Sequence, residues 1–190
     1  MVVGVSGKYC AGKSTVADLL EEEWGFLQID VDALGHRALE RRRDEVVSRF
    51  GSDIVVDGRI DRRRLGGIVF GNPQALADLE SIVHPEMIAM VEETIRGEAE
   101  RDVVVNAAIL FKMGLDRLCD TVIWVEAPVL RRIVRARRRD GLPLLQIIKR
   151  LNAQRGMKPQ SSRRDVDIHT VRNSGNLGAL KRRIGAVLPV

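Results

Sequence analysis

The sequence predicts an α/β fold, a parallel five-stranded sheet flanked by helices, with a helical insertion and an arginine-bearing segment. Three observations predict it. The apolar run Val2-Val3-Gly4-Val5 enters a loop of the form G-x-x-x-x-G-K-S, from Gly7 to Ser14, and an amphipathic helical pattern leaves it. Strand, loop and helix in that order are the context that gives this Walker A spacing its meaning. The runs Val103-Val104-Val105 and Thr121-Val122-Ile123-Trp124-Val125 are near-continuously apolar, as in parallel strands covered on both faces. Between strands, residues 33–101 carry helical periodicities and turns, an excursion too long for a simple crossover.

Each part of the loop has a chemical reason. Gly12 has no Cβ, so the backbone can close around phosphate oxygens. The amides of Cys10, Ala11, Gly12, Lys13, Ser14 and Thr15 can then form an anion nest at the positive end of a helix dipole. Lys13 can reach β- and γ-phosphates, and the Ser14 hydroxyl can ligate Mg²⁺. The bland alternative is a glycine turn that binds nothing. It requires strand, loop, lysine, hydroxyl and helix to coincide without a ligand.

Along the chain, Val16, Leu19, Leu20 and Trp24 recur at helical spacing opposite Asp18, Glu21 and Glu22, and Gly25 ends this first helix. Phe26-Leu27-Gln28-Ile29 reads as the second strand, with Asp30-Val31-Asp32 at its carboxyl end, where open parallel sheets bind ligands. A lone aspartate there would be read as a helix cap. The pair favours a base or Mg²⁺ ligand facing the phosphate loop. Further on, Gly51 stops a helix bearing Val46, Val47 and Phe50, and Asp57-Gly58 marks a turn. Asp61 is placed to cap a short helix with Leu65, Ile68 and Val69, and Asn72-Pro73 to open one with Leu76, Leu79 and Val83. His84-Pro85 is expected to start another, carrying Ile88, Val91 and Ile95. This region is expected to bind the substrate. The sheet resumes at Val103 and Thr121, and Ile168 to Val171 is a last, weaker strand.

Arg131 to Arg139 read Arg-Arg-Ile-Val-Arg-Ala-Arg-Arg-Arg. On a helix, Arg131, Arg135 and Arg138 share a face, and Arg132, Arg135 and Arg139 nearly do. The run fits a solvated basic face, a nucleic-acid contact, or a lid that closes over transferring phosphates. The phosphate loop in the same chain favours the lid, for Arg135 and Arg139 above all. The net charge of +5 selects anionic partners. Aromatic residues at 4% leave little for base stacking, which favours small phosphorylated ligands over nucleic acid. Cys10 and Cys119 read as two reduced thiols rather than a staple or metal site. No apolar run approaches the roughly 20 residues of a membrane span, and the first strand leaves no room for a signal peptide. A cytoplasmic location is therefore expected. One domain is expected, with a core of about 1–32, 102–130 and 151–190, a helical region of about 33–101 and a lid of about 131–150.

Together these pieces resemble the dephospho-coenzyme A kinases, over nearly the whole chain. The matching residues are Ser6-Gly7 through Gly12-Lys13-Ser14-Thr15, Ile29 to Asp32, Phe50-Gly51, Asp57 to Arg62 with Leu65, Val69-Phe70, and Leu79-Glu80 with His84-Pro85. Arg135 with Arg139-Asp140-Gly141, Ala153-Gln154 and Asn173-Ser174-Gly175 complete them. The resemblance implies a P-loop kinase of adenylate-kinase-like architecture. Using ATP and Mg²⁺, it would phosphorylate the 3′-hydroxyl of the ribose of dephospho-CoA, the expected small-molecule partner. By position, Asp32 would be the catalytic carboxylate near that hydroxyl, and Arg135 and Arg139 the lid arginines. Asn173 would belong to the nucleotide site, and Arg62 and His84 to the substrate side; His84 is equally explained as a helix-start histidine. Lys8 and Cys10 stand where the family usually has glycine. Ala108 and Lys112 replace a usual proline and glutamate, so the chain is similar to a divergent member. The alternatives are a P-loop kinase for another acceptor (a nucleoside, nucleotide or sugar acid) and a nucleotide-dependent, nucleic-acid-associated protein.

Overall fold

Val2 to Gly7 form strand β1 in the computed structural model, which describes residues 1–159 and 166–188. Its valines suit an extended strand, and Val3 and Val5 are fully buried. Helix α1 (Lys13–Trp24) follows the loop and ends at Gly25 in the left-handed conformation. Strand β2 (Leu27–Asp30) comes next. The chain divides into two compact units here, Met1–Ile29 with Gly97–Val190, and Asp30–Arg96.

The second unit is mainly helical. Helices α2 (Val31–Arg41) and α3 (Arg43–Phe50) are followed by a short 3₁₀ turn, Ser52–Ile54. Strands β3 (Val55–Val56) and β4 (Arg59–Ile60) then pair as a hairpin, with Val55 opposite Ile60. Asp57 and Gly58 both have positive φ, 48° and 74°, the signature of a type I′ hairpin turn. The turn was legible in sequence; strands of two residues are too short to show periodicity. Helices α4 (Arg62–Val69) and α5 (Pro73–Gly97) complete the unit. Arg41 at the end of α2 and Arg42 just after it both reach Glu86 of α5 at 3.1 Å.

The expectation that His84-Pro85 begins a helix is corrected. Helix α5 runs through Pro85 as one element. An interior proline removes a hydrogen bond and costs about 3 kcal/mol. Val83, Met87, Met90 and Val91 are buried along the same helix, and each such side chain stabilises by about 1.5–3 kcal/mol. Their burial outweighs the lost bond.

The first unit resumes with β5 (Val103–Asn106), a 3₁₀ turn at Leu115–Leu118 and β6 (Thr121–Glu126). Helices α6 (Val129–Asp140) and α7 (Leu144–Ala153), strand β7 (Asp167–Arg172) and helix α8 (Leu177–Gly185) follow. The sheet is parallel, with strand order β2-β5-β1-β6-β7. In register, Gly4 lies opposite Val105 on one side of β1 and Val122 on the other. Val3, Val5, Val104, Ile123, Val125 and Val171 from the strands pack with Val16, Leu19 and Leu20 of α1 and with Leu180 and Ile184 of α8. The chain leaves β1 for the edge strand β2 and later fills β6 on the opposite side. The order reverses at β1, so the loop after its carboxyl end sits at the switch point where such sheets bind ligands.

Candidate active site

The loop from Gly7 to Gly12 is closed by its own turn, in which the Ala11 amide donates to the Lys8 carbonyl at 3.0 Å. Cys10 takes a left-handed φ of 57°, and Gly12 one of 98°. Glycine adopts that region freely; a cysteine there carries strain of about 1 kcal/mol. Gly12 is also required by space. A Cβ on it would lie 2.2 Å from Asn173 Nδ2 and 3.2 Å from Arg135 Nη1.

Helix α1 begins directly after Gly12, with no side-chain cap and no acidic residue in its first turn. The first amides of any helix lack intrahelical partners, so this end is electropositive and open. A cavity of about 400 Å³ lies against it. Cys10, Gly12, Lys13, Ser14 and Thr15 line one part, and Arg135, Arg138 and Arg139 of α6 the rest. The Ser14 and Thr15 side chains are exposed. Lys13 Nζ makes a long 3.4 Å contact to the Gly7 carbonyl. These groups can surround a polyphosphate with positive charge and N–H donors. The exposed Ser14 hydroxyl supplies a hard oxygen of the kind Mg²⁺ takes beside phosphate oxygens and water.

Behind the cavity, three distant stretches meet at one carbonyl. Arg135 Nη1 donates to the Ala11 oxygen at 2.8 Å, and Asn173 Nδ2 donates to the same oxygen at 3.0 Å. Arg135 Nη2 donates to Asn173 Oδ1 at 3.1 Å. Asn173 is buried, and its backbone N–H donates to the Glu126 carbonyl at 2.6 Å. Burial lowers the pKa of Arg135, and the nearby Arg131 lowers it further.

Tyr9 forms a second junction. Its amide donates to Gln154 Oε1 at 2.5 Å, and its hydroxyl bonds Asp140. Arg139 and Arg150 sit over its ring, 5.4 and 5.7 Å from the centroid, within cation–π range. Arg139 Nε donates to Asp140 Oδ1 at 2.6 Å. The Arg139 guanidinium, then the Tyr9 hydroxyl, holds the Asp140 pKa down at about 2. Burial, then the bond to Asp140, raises that of Tyr9. Cys10 and Cys119 are both free and buried, and burial pushes the Cys119 thiol up to about 12.

Among the sequence-predicted residues, the structure thus brings Cys10, Gly12, Lys13, Ser14, Thr15, Arg135 and Arg139 to one cavity, with Ala11 and Asn173 bonded at its back. Asp32, Arg62 and His84 belong to the Asp30–Arg96 unit. The aspartate pair separates in role. Asp30 caps α2, accepting from the Ala33 amide at 3.2 Å, whereas Asp32 is exposed in the first turn of that helix. Arg62 pairs with His36. His84 lines a smaller, mostly apolar cavity of about 180 Å³ with Gly35, Leu39, Leu79, Val83 and Met87. Arg138 joins the first cavity as well; its spacing put it on one face with Arg131 and Arg135, although Arg135 and Arg139 were the arginines favoured for the lid. Tyr9 gave no sequence signal, because its partners lie far away along the chain.

Residues 1–178 match the family model described as CoaE: Dephospho-CoA kinase. A protein named Dephospho-CoA kinase from Thermus thermophilus is 36% identical over 189 residues, which span 99% of this chain and 90% of that protein. One of the same name from Borreliella burgdorferi is 30% identical over 188 residues, 97% of this chain and 91% of the other. Among solved structures, TT1252 from Thermus thermophilus is similar with a TM-score of 0.81 at 34% identity, covering 98% of this chain and 95% of that one. The structure named Dephospho-CoA kinase from Campylobacter jejuni has a TM-score of 0.69 at 24% identity, a likeness of fold, with 98% and 94% covered.

Proposed function

The chain belongs to the dephospho-CoA kinase family, and we propose that it transfers the γ-phosphoryl group of ATP to the 3′-hydroxyl of dephospho-CoA, giving coenzyme A and ADP. The observation that carries this reading is the family match over residues 1–178, joined to an open helix start facing an arginine-lined cavity.

Phosphoryl transfer asks the protein mainly for positioning and neutralisation of charge. The α1 amides and Lys13 bind the β- and γ-phosphates. Arg135, Arg138 and Arg139 face the same space from α6, as a lid of about 131–150 would, and their charge falls where oxygens gain negative charge. Ser14 would hold Mg²⁺, whose charge offsets that of the phosphate oxygens when it is bound. Asp32 accepts the proton of the acceptor hydroxyl. The freed oxygen forms a bond to the γ-phosphorus as the bond to the bridging oxygen breaks, and ADP leaves with that electron pair. Arg62 and His84 of the 33–101 region serve the acceptor side. Asn173 and Arg135 hold the loop in shape by bonding the Ala11 carbonyl.

The test is ADP release coupled to a reporter, with dephospho-CoA, adenosine, gluconate and shikimate as acceptors, and mass spectrometry of the product. Release with dephospho-CoA alone, and a product carrying one added phosphate on its ribose, is expected. Release with another alcohol and none with dephospho-CoA would overturn the acceptor assignment.

A further inference from the structure

A second cavity lies in the same unit as the phosphate loop and shares no lining residue with the first. It measures about 270 Å³. Lys8, Arg132 and Arg172 line it, with Glu126 and the Pro128-Val129 start of α6. Three cations thus meet one carboxylate.

Arg132 is the unusual member. It is only 6% exposed. Its Nε donates to the Tyr9 carbonyl at 2.7 Å, but its Nη2 is buried with no hydrogen-bond partner among the described residues. A guanidinium keeps its charge at any ordinary pH, so a buried, incompletely bonded one is a standing cost. Burial lowers its pKa, and Glu126 is among the groups that pull the other way. Helix α6 adds a second, independent feature. It starts at Pro128 with no side-chain cap and no acidic residue in its first turn, so its first amides keep unused donors at the positive dipole end. Lys8, at a position that the resemblance gives to glycine, adds a half-buried positive charge at the rim.

We propose that this cavity is a second anion site, distinct from the triphosphate cavity, that takes a phosphate dianion, either free or as the ester of a small metabolite. The excess positive charge matches a dianion, and the orphan Nη2 donor and the α6 start match its oxygens. The assignment does not rest on the kinase reading.

Isothermal titration with inorganic phosphate decides it, at low ionic strength where charge pairs are least screened. The intact protein is first saturated with ADP, whose own binding is measured separately. One phosphate per chain is expected to bind with ADP present. Lys8→Ala and Arg172→Ala should each weaken it by about tenfold, the worth of one charge-assisted bond. Arg132→Gln, which keeps a donor for the Tyr9 carbonyl while removing the charge, should weaken it at least as much. The two rim variants decide the matter if Arg132→Gln does not fold. Glycerol 3-phosphate in place of phosphate separates the sources: tighter binding assigns an ester, weaker binding free phosphate. No phosphate binding beside ADP, or both rim variants binding as tightly as the parent, overturns the site. If ADP itself does not bind, the loop reading fails, and the same variants titrated without ADP still decide this one.

Discussion

Helix α1 of the sheet unit and three helices of the Asp30–Arg96 unit, α2, α4 and α5, begin in opposite ways. Helix α2 is capped by Asp30, α4 by Asp61 bonding the Arg63 and Arg64 amides, and α5 by Asn72 bonding the Ala75 amide. Each cap satisfies a donor that the helix itself leaves open. Helix α1 instead begins at a left-handed glycine with no side-chain cap bonded to its amides. A closed helix start contributes stability, and an open one keeps donors for a ligand. The contrast teaches where to look: the uncapped start of α1 opens on the arginine-lined cavity, whereas the starts capped by Asp30, Asp61 and Asn72 have these donors already bonded.

The largest expected effect crosses the contrast. Asp32 lies in the first turn of α2, but Asp30 already caps that helix. Asp32→Asn should therefore leave stability and ATP affinity near the parent while lowering kcat by about a thousandfold, the worth of a positioned base. Retained turnover would move the base elsewhere. Lys13→Ala should lower kcat/KM for ATP by about a hundredfold or more, and unchanged ATP affinity by titration would count against the open end as a phosphate site. Gly12→Ala should destabilise by about 2 kcal/mol in urea unfolding. Positive φ supplies about half of this, and displacement of Asn173 from its bonds the rest. An unaffected midpoint would mean the close approach of Asn173 to Gly12 is not fixed.

On the capped side, Asp61→Ala should lower the urea midpoint modestly through loss of the cap, with kinetics unchanged at temperatures where the protein stays folded. A loss of activity without a loss of stability would contradict its assignment as a cap. The smallest effect concerns Asp140. Its pKa is depressed to about 2, below the ordinary value of about 3.9 for an unfolded aspartate. Its contribution is present above about pH 4 and disappears as pH falls through 2. The stability difference between the parent and Asp140→Asn, about 0.5 kcal/mol at neutral pH after allowance for exposure, should shrink to nothing over that window. A constant difference from pH 6 to pH 2 would detach Asp140 from Arg139 and Tyr9.

Much of the fold was legible in the residues. The loop, the five sheet strands, the left-handed stop at Gly25 and the caps at Asp61 and Asn72 each follow from a short pattern. The departures have one cause, that packing overrides local rules. Pro85 reads as a helix start, but buried side chains carry α5 through it. Val55-Val56 and Arg59-Ile60 are too short to announce a hairpin. Asp30 and Asp32 look equivalent on paper, and only the bond to the Ala33 amide separates them.

The sequence by itself determined that a phosphate loop ends a parallel strand, that arginines follow one another along a helix, and which turns and caps punctuate the chain. Those are short-range matters of backbone dihedrals, hydrogen bonds a few residues apart and apolar periodicity. Only the tertiary structure decided that residues 11, 135 and 173 share one carbonyl, that Tyr9 meets Asp140, Arg150 and Gln154, and that Arg132 is buried with a donor unused among the described residues. Such meetings depend on how the sheet order brings distant stretches side by side, and no local propensity encodes that order.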